Sequence, residues 1–526
     1  MQRLLIANRG EIAVRITRTA REMGLVTVGV HSPEDEELAA GYGTDELALL
    51  EGQGAAAYLD VERIVALART RDCDALHPGY GFLSESARLA EACLDAGILF
   101  VGPSPQTLEL FGNKAAARAL AIKVDVPVVP GIESPATLED ATSFLAGLPD
   151  DSSIMLKAVA GGGGRGMRVV ETEDKLTKAF ERCQSEALRS FGSDHLFAEQ
   201  FVEAARHIEI QIVADGAGGI CHLWERDCTL QRRHQKLIEI APAPGLDPVL
   251  REALIEAAIK IAKASNYYGI GTFEFLVEPS GAFFFMEANP RLQVEHTVTE
   301  EITGVDLVEV QLRIAQGAKL IELNLAEAPR PNGFSIQLRI LAETLSPKGE
   351  PLPAGGRIES FELPGGPGIR VDTAMRRGQG PHPAFDSLLA KLVVSSPEAD
   401  YERVVRRTRR AISEFVIEGP KTNLSLLAAL LDRPEFSENQ FTTRFIAENA
   451  KALIAEAKAW SSRQPAAVID SETSSPDSSE RAVAEGALAI RSPLIGTVIE
   501  VCVNEYAEVL KGQPSCILES MKMEHV

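Results

Sequence analysis

Two acids near the middle of the chain have the side-chain types and spacing of ligands for a divalent cation. Residues 271–289 form two strand-like runs around a Pro-Ser-Gly turn signal, which predicts a hairpin. A two-residue turn at 280–281 would place Glu274 opposite Glu287, with Asn289 on the same face. Opposed carboxylates repel unless a cation separates them, and Mg²⁺ prefers carboxylate and phosphate oxygens. The alternative is a solvated face with two acids that happen to pair, and a register shift of one residue would separate them.

A run of glycines indicates phosphate binding. Residues 161–166 read Gly-Gly-Gly-Gly-Arg-Gly between two strand-like segments, 154–158 and 167–170. Dinucleotide-binding and Walker loops open a helix instead. This context therefore predicts a glycine hairpin whose backbone N–H groups could fold over phosphates, with Lys157 and Arg165 supplying charge. A plain flexible loop is the alternative interpretation.

The segment after the acid hairpin has the residues to bind and deprotonate a small oxyanion. Arg291, Gln293 and Glu295 alternate along the chain and would share one side of an extended segment. An arginine and an amide bind oxyanions, and a carboxylate accepts a proton. A surface salt bridge is the alternative.

A second polar segment, 225–236, contains too many charges for a core and too few apolar residues for an amphipathic helix. We expect a loop that faces phosphate or, alternatively, solvent. His207 and His234 have no metal-ligand spacing with another His or Cys, which argues against zinc.

The elements that position these residues fall into distinct regions. The first hundred residues alternate strand and helix patterns, which predicts a doubly wound parallel sheet. Residues 114–123 then predict a helix, and from about 204 to 445 the pattern is α+β with a substantial antiparallel sheet. The expected strands are 3–7, 26–30, 75–77, 98–101, 207–213, 271–277, 283–287 and 335–339, and the expected helices of the first region are 11–23, 61–70 and 86–96.

Composition narrows the class of protein. The 526 residues are 45% hydrophobic with a formal net charge of −22, so we expect several soluble domains that bind neither nucleic acid nor membranes. Seven scattered cysteines without CxxC spacing fit a reducing, cytoplasmic compartment. There is no signal peptide and no bilayer-length apolar run. A Ser/Pro/acid-rich stretch near 463–484 predicts a linker before a small β-rich segment.

Several longer motifs resemble the biotin carboxylase family of ATP-grasp enzymes, and the resemblance extends from residue 1 to about 445. A last motif, 517–525, is similar to the biotin-carrier motif, whose central lysine, here Lys522, carries biotin. The carboxylase motifs are 5–15, 77–85, 161–170, 225–236 and 287–296.

The resemblance implies a fold and a set of domains. The fold class is α/β and α+β, with a doubly wound N-terminal domain, an ATP-grasp lid and body, and a partial β-rich biotinyl domain. The implied ranges are an N-terminal domain at 1–112, an ATP-grasp domain at 113–315 with its lid at 130–203, a C-terminal domain at 316–450, a linker at 451–486 and a partial carrier at 487–526.

The resemblance also implies site residues. Those for ATP are Lys114, Lys157, Gly163, Gly164, Glu199, Gln200, Phe201, Val202, His207, Gln231 and His234. Glu274, Glu287 and Asn289 would hold Mg²⁺ or Mn²⁺, in agreement with the hairpin argument. Lys236, Arg291, Gln293 and Val294 would bind bicarbonate. The implied catalytic residues are Glu295 as the base that deprotonates it, Arg291, Lys236, and Arg339, which would stabilise the biotin enolate.

The implied reaction is the first half-reaction of a biotin-dependent acyl-CoA carboxylase. ATP would activate bicarbonate as carboxyphosphate under a closing lid that excludes water, and biotin would then be carboxylated. The implied partners are a carboxyltransferase domain or subunit, biotin protein ligase and a second copy of the chain. A pyruvate carboxylase-like enzyme, a carbamoyl-phosphate-type ligase and a non-catalytic scaffold are the alternatives.

Three departures from the family pattern affect these expectations. Leu341 and Thr344 replace the usual Asn and Asp, which puts hydrogen bonding near Arg339 in doubt, and the carrier turn reads Tyr-Ala at 506–507. The sequence stops just past Lys522, about half-way through a carrier domain. We therefore expect a fragment whose tail folds poorly and is a bad substrate for biotin ligase.

Overall fold

The computed structural model describes residues 1–132, 135–149, 152–159, 166–346, 349–463, 497–503, 509, 514–520 and 523–525. None of the described helices is both long and apolar enough to cross a lipid bilayer.

The N-terminal region is the predicted doubly wound sheet. Its five strands are parallel in the order β3-β2-β1-β4-β5. Leu4 and Ile6 pack with α1 on one face, whereas Leu5 packs with α4 and α5 on the other, because side chains alternate along a strand. Of these five strands, β3 is the one that the sequence analysis did not predict. The strands are β1 Arg3–Ile6, β2 Val26–His31, β3 Glu46–Leu49, β4 Ala75–His77 and β5 Leu99–Phe100, and the helices are α1 Gly10–Glu22, α2 Glu36–Ala39, α3 Gly54–Ala57, α4 Val61–Thr70, α5 Ala87–Asp95, α6 Pro105–Gly112 and α7 Lys114–Lys123.

A smaller unit follows, with a hydrophobic core of its own. Leu156 on the central strand packs against Leu176 and Phe180 of the long helix. The strands are antiparallel in the order β7-β6-β8, so the predicted hairpin around the glycine run is confirmed. Residues 160–165, which include Gly163, Gly164 and Arg165, lie outside the described residues. The elements are α8 Leu138–Gly147, β6 Ile154–Ala158, β7 Met167–Val170, α9 Glu173–Phe191 and β8 Leu196–Gln200.

The largest unit is built on one antiparallel sheet of eight strands, in the order β13-β12-β9-β10-β11-β14-β19-β18. Helix α10 covers β9 and β12, while α13 and α14 cover β14 and β19. The elements are β9 Arg206–Asp215, β10 Ile220–Arg232, β11 Gln235–Ala241, α10 Pro248–Ala264, β12 Tyr268–Val277, β13 Phe283–Asn289, α11 His296–Thr303, α12 Leu307–Ala315, β14 Phe334–Leu341, β15 Glu343–Leu345, β16 Pro351–Pro353, β17 Ser360–Glu362, β18 Ile369–Asp372, β19 Leu388–Ser396, α13 Tyr401–Glu414, β20 Val416–Glu418, α14 Leu424–Asp432, α15 Pro434–Ser437, α16 Phe445–Glu448 and α17 Ala450–Arg463.

Two features bear on the predicted domain boundaries. The eight-stranded sheet runs across the expected boundary at 315/316, because β11 pairs with β14. The expected start of the linker at 451 is wrong, since α17 continues to Arg463. Its Leu453 is fully buried in the core that α14 also lines. Apolar side chains at helical spacing hold this segment on the body.

The C-terminal segment is β-rich where it is described. Strands β21 Thr497–Val501, β22 Cys516–Ser520 and β23 Met523–His525 form an antiparallel sheet. Lys522 and the carrier turn at 506–507 lie outside the described residues. The assignment of this segment as a carrier stays a prediction.

Candidate active site

The hairpin that carries the acid pair has the predicted register at the acids. β12 and β13 pair Glu274 with Glu287 and Thr272 with Asn289, and cross-strand partners share a face of the sheet. The Asn289 amide donates to Glu274 at 2.5 Å. The oxygen atoms expected to bind a metal ion therefore lie together at one end of the sheet.

The turn of this hairpin differs from the prediction. The ladder near the turn pairs Val277 with Phe283, so the loop contains three residues, 279–281, of which Gly281 is left-handed with φ 87°. A register shift directly after Glu274 compensates for the additional loop residue. The acid pairing was correct because two departures from the simple register cancel.

Glu274 is buried between a histidine and a lysine. It is 2% exposed, and its carboxylate lies 2.6 Å from His207 Nε2 and 3.3 Å from Lys236 Nζ. Burial raises the pKa of Glu274, but Lys236 and His207 outweigh this effect and leave the pKa below its usual value. Glu287 is more open and has Lys114 Nζ at 3.5 Å. Glu274 is thus held in place by neighbouring side chains, whereas Glu287 is more exposed.

The donor set suits a hard cation. Glu274, Glu287 and Asn289 offer oxygen ligands, which Mg²⁺ prefers. Among the described residues, two other groups have converging ligand atoms, His207–Glu209–Glu274 and Glu209–Cys228–Glu295. In both groups Glu209 is already neutralised by Arg226 and Lys236. The hairpin residues therefore fit a metal better than these groups do.

The expected base lies between two cations. Lys236 Nζ donates to Glu295 at 2.6 Å, and Arg339 Nη2 donates to the other carboxylate oxygen at 3.0 Å. Glu295 is 1% exposed. Burial raises the pKa of Glu295, but Lys236, Arg339 and Arg226 together hold it well below the usual range. Glu295 is therefore ionised and can accept a proton.

The segment before Glu295 is not the extended strand that was expected. It forms turns and leads into α11, with Glu295 as the residue before the first helical turn. The side chains nevertheless converge, because Arg291 Nη1 donates to Gln293 at 2.9 Å and Gln293 donates to Glu274 at 3.3 Å. Arg291 also donates to Glu85 of the N-terminal region at 2.5 Å.

The prediction of a loop at 225–236 is wrong. The segment forms most of β10 and the turn into β11, and Glu225 and Arg226 are fully buried. These charges are tolerated in a core because each has a partner from another element. Arg226 pairs with Glu209 on β9, and Glu225 accepts from Arg251 at 2.8 Å.

The predicted ATP residues that the structure describes lie on α7, on the small unit and on the central strands β9 and β10 of the large sheet, with His234 at the turn into β11. Lys157 and Glu199 form an ion pair between β6 and β8. Gln200 is the last residue of β8, and Phe201 and Val202 follow on the connection to β9. On the large sheet, Gln231 pairs with Lys236 across β10 and β11. Desolvation and the neighbouring Lys157, His207 and Lys114 lower the pKa of His234.

Sequence reasoning missed the residue that holds Arg339. Glu239 on β11 is fully buried, accepts from Arg339 Nε at 2.5 Å and from Gln337 at 2.9 Å. Burial raises the pKa of Glu239, although Arg339 opposes this effect. A lone acid within the apolar run Leu237–Ala241 was the available signal, because an unpaired carboxylate is costly there.

The structure shows how the backbone beside Arg339 is held although Leu341 replaces the usual Asn. Leu341 is buried in the apolar core. Asn423 provides the polar contacts: its side chain accepts from the Leu341 N–H at 2.8 Å and donates to the Arg339 carbonyl at 2.9 Å. The backbone that carries Arg339 is therefore fixed from the start of α14.

An ATP-binding body with an acid hairpin, beside a buried base and two cations, defines an ATP-dependent ligase of the ATP-grasp class. Three family models match in succession: "Biotin carboxylase, N-terminal domain" at 1–108, "Carbamoyl-phosphate synthase L chain, ATP binding domain" at 113–323 and "Biotin carboxylase C-terminal domain" at 337–448. The biotin carboxylase of Nostoc sp. is 45% identical over 453 residues, which cover 85% of this chain and 99% of that protein. The chain therefore belongs to the biotin carboxylase family.

Longer proteins are also similar to this chain. Human mitochondrial pyruvate carboxylase is 46% identical over 457 residues, which cover 85% of this chain and 38% of that enzyme. The chain thus spans well under half the length of such relatives. Among solved structures, the biotin carboxylase domain of a single-chain bacterial carboxylase is 44% identical with a TM-score of 0.78, and it covers 88% of this chain and 100% of its own. A single-chain, multi-domain long-chain acyl-CoA carboxylase is 39% identical with a TM-score of 0.77, and the match covers 100% of this chain and 48% of that one.

Proposed function

We propose that this chain catalyses the ATP- and bicarbonate-dependent carboxylation of biotin. The observation that carries the proposal is the buried Glu295 between Lys236 and Arg339, next to the acid hairpin. Relatives support it, since one solved structure of a 2-oxoglutarate carboxylase domain, 40% identical, is a dimer with MgADP and bicarbonate.

Separate groups of residues would bind the nucleotide and the metal ion. Lys114, Lys157, Gly163 and Gly164 would hold the ATP phosphates, and Glu274, Glu287 and Asn289 would hold Mg²⁺. When bound, the metal supplies positive charge to the transferring phosphoryl group.

Bicarbonate would bind to Lys236 and Arg291, where the cations offset the repulsion from the acidic surface. An anion on Lys236 would take a share of the hydrogen bond that now reaches Glu295. This competition would raise the pKa of Glu295 and so make it a stronger base for the bicarbonate proton. Arg339, oriented by Glu239, would hold the ureido oxygen of biotin.

For the final acceptor we propose an acyl-CoA. The long-chain acyl-CoA carboxylase structure matches the whole of this chain, including the β-rich C-terminal segment. A keto acid such as pyruvate is the second candidate, because human pyruvate carboxylase is 46% identical over 85% of the chain.

The proposed assembly follows from this role. We infer a homodimer that works with a carboxyltransferase domain or subunit, and Lys522 as the lysine that biotin protein ligase modifies. We also infer a cytoplasmic location, since all seven cysteines lie in the described part of the chain and none forms a disulfide.

The test is ATP cleavage measured with and without bicarbonate and free biotin. We expect cleavage that requires bicarbonate and rises with biotin. ATP cleavage that is driven by an amine donor and ignores biotin would refute the proposal. The acceptor is tested on the protein isolated with its carboxyltransferase, by comparing acyl-CoA with pyruvate.

A further inference from the structure

A fully buried lysine lies directly behind the proposed bicarbonate site. Lys391 on β19 is 0% exposed. In the sheet it stands opposite Arg339 on β14 and opposite Asp372 on β18. An unpaired ammonium group is very costly in a protein interior. The partners of Lys391 therefore indicate its role.

Lys391 has two carboxylate partners and one backbone partner. Its Nζ lies 3.0 Å from Glu11 and 3.9 Å from Asp372. It also donates to the carbonyl oxygen of Val294 at 3.1 Å. The two carboxylates are its ion-pair partners, and the third contact directs it to the segment that precedes Glu295.

Two neighbouring cations of the sheet thus hold two consecutive residues of that segment. Arg339 donates to the Glu295 side chain at 3.0 Å, while Lys391, its cross-strand partner, donates to the Val294 carbonyl. The segment belongs to no strand, so it lacks the regular hydrogen bonds that fix β-structure. These side-chain contacts replace them.

The anchor of Lys391 comes from the N-terminal region. Glu11 is the second residue of α1, and its carboxylate also accepts from the hydroxyl of Tyr80. The second carboxylate, Asp372, is shared between Lys391 and Arg370, which binds it at 2.8 Å. The position of Val294 is therefore set jointly by the N-terminal helix and the central sheet.

We propose that Lys391, held by Glu11, is a positioning residue for bicarbonate: it fixes the Val294 peptide so that the neighbouring residues meet the anion. This inference rests on the proposed function. It extends the site to two residues that are not among the predicted nucleotide and metal ligands.

The experiment compares Lys391→Met with the double variant Lys391→Met/Glu11→Gln in bicarbonate-dependent ATP cleavage. The single variant leaves Glu11 without its cation and is expected to lower the thermal midpoint. The double variant removes both charges and is expected to recover much of that loss. In both variants the KM for bicarbonate should rise roughly tenfold or more, the effect of one charged hydrogen bond, while the KM for ATP stays within about twofold.

A matched control is Arg409→Met. Arg409 on α13 also donates to a backbone carbonyl, that of Leu431, at 2.8 Å, but it lies on the helical face of the sheet. It should lower stability and leave the KM for bicarbonate unchanged.

Three outcomes decide the matter. A raised KM in the double variant, with its stability restored, supports positioning. A KM that returns to the wild-type value together with stability shows a purely structural ion pair and overturns the inference. Wild-type ATP cleavage that does not depend on bicarbonate overturns the proposed function itself, and this inference with it.

Discussion

Replacing Glu295 with Gln tests the assigned base most directly. The change keeps the shape of the side chain and removes its charge. Lys236 retains Glu209 at 2.6 Å and Glu274 at 3.3 Å, and Arg339 retains Glu239 at 2.5 Å. Neither cation is left unpaired, so the chemical role of Glu295 is removed while its surroundings stay in place.

The expected magnitude follows from that geometry. A positioned general base contributes about 10²–10⁴-fold, which corresponds to roughly 3–5 kcal/mol in the barrier. We expect bicarbonate-dependent ATP cleavage to fall by at least about a hundredfold. Nucleotide affinity should stay near normal, because within the described residues the Glu295 carboxylate accepts hydrogen bonds from Lys236, Arg339 and the thiol of Cys228, none of them a predicted nucleotide ligand.

The assay is initial-rate ATP cleavage at saturating ATP and bicarbonate, with nucleotide binding followed by thermal shift. Glu225→Gln is the matched control: Glu225, on β10, is as deeply buried as Glu295 and pairs with Arg251 at 2.8 Å. The control should lose stability and keep its turnover. Unchanged turnover in Glu295→Gln, or an equal loss in the control, would refute the assignment of Glu295 as the base.

Three further predictions follow from the same contacts. Glu239→Gln removes one of the two carboxylates that orient Arg339, so the KM for free biotin should rise about tenfold in steady-state kinetics, and an unchanged value would contradict its role. Glu274→Gln removes one metal ligand, so the Mg²⁺ concentration for half-maximal ATP cleavage should rise at least about tenfold, whereas Glu278→Gln at the hairpin tip should leave it unchanged. The pKa of Glu295 is lower in the folded protein than its usual value, so its stabilisation is present above about pH 4 and is lost as the pH falls toward the folded pKa. The difference in urea midpoint between wild type and Glu295→Gln should therefore shrink from pH 7 to pH 3.5, and a difference that grows would show the opposite sign.

The acid hairpin illustrates how far sequence reasoning reaches. Side-chain alternation and a turn signal were enough to pair Glu274 with Glu287. The three-residue loop and the compensating shift beside Glu274 were not predictable, because a β-bulge depends on how the strand bends over the core beneath it. Counting from the turn gave the correct acids only since these two irregularities cancel.

The polar segment 225–236 marks the limit of local reasoning. Its many charged residues led to the prediction that the segment lies outside the protein core, yet Arg226 is fully buried. Whether a charge can be buried depends on its partner, and Glu209 comes from a different strand. The same holds for Glu239 with Arg339, and for Lys391 with Glu11, whose partners lie far apart in the sequence.

The sequence by itself determined the order of the elements, the doubly wound N-terminal sheet, the glycine hairpin and the types of residue that bind phosphate, metal and oxyanion. These features are encoded locally, in periodicity and spacing, so they can be read from neighbouring residues. Only the tertiary structure decided which charges neutralise one another around Glu295 and which buried cation fixes Val294. An electrostatic interaction depends on distance in space, and that distance is set by the packing of the whole fold.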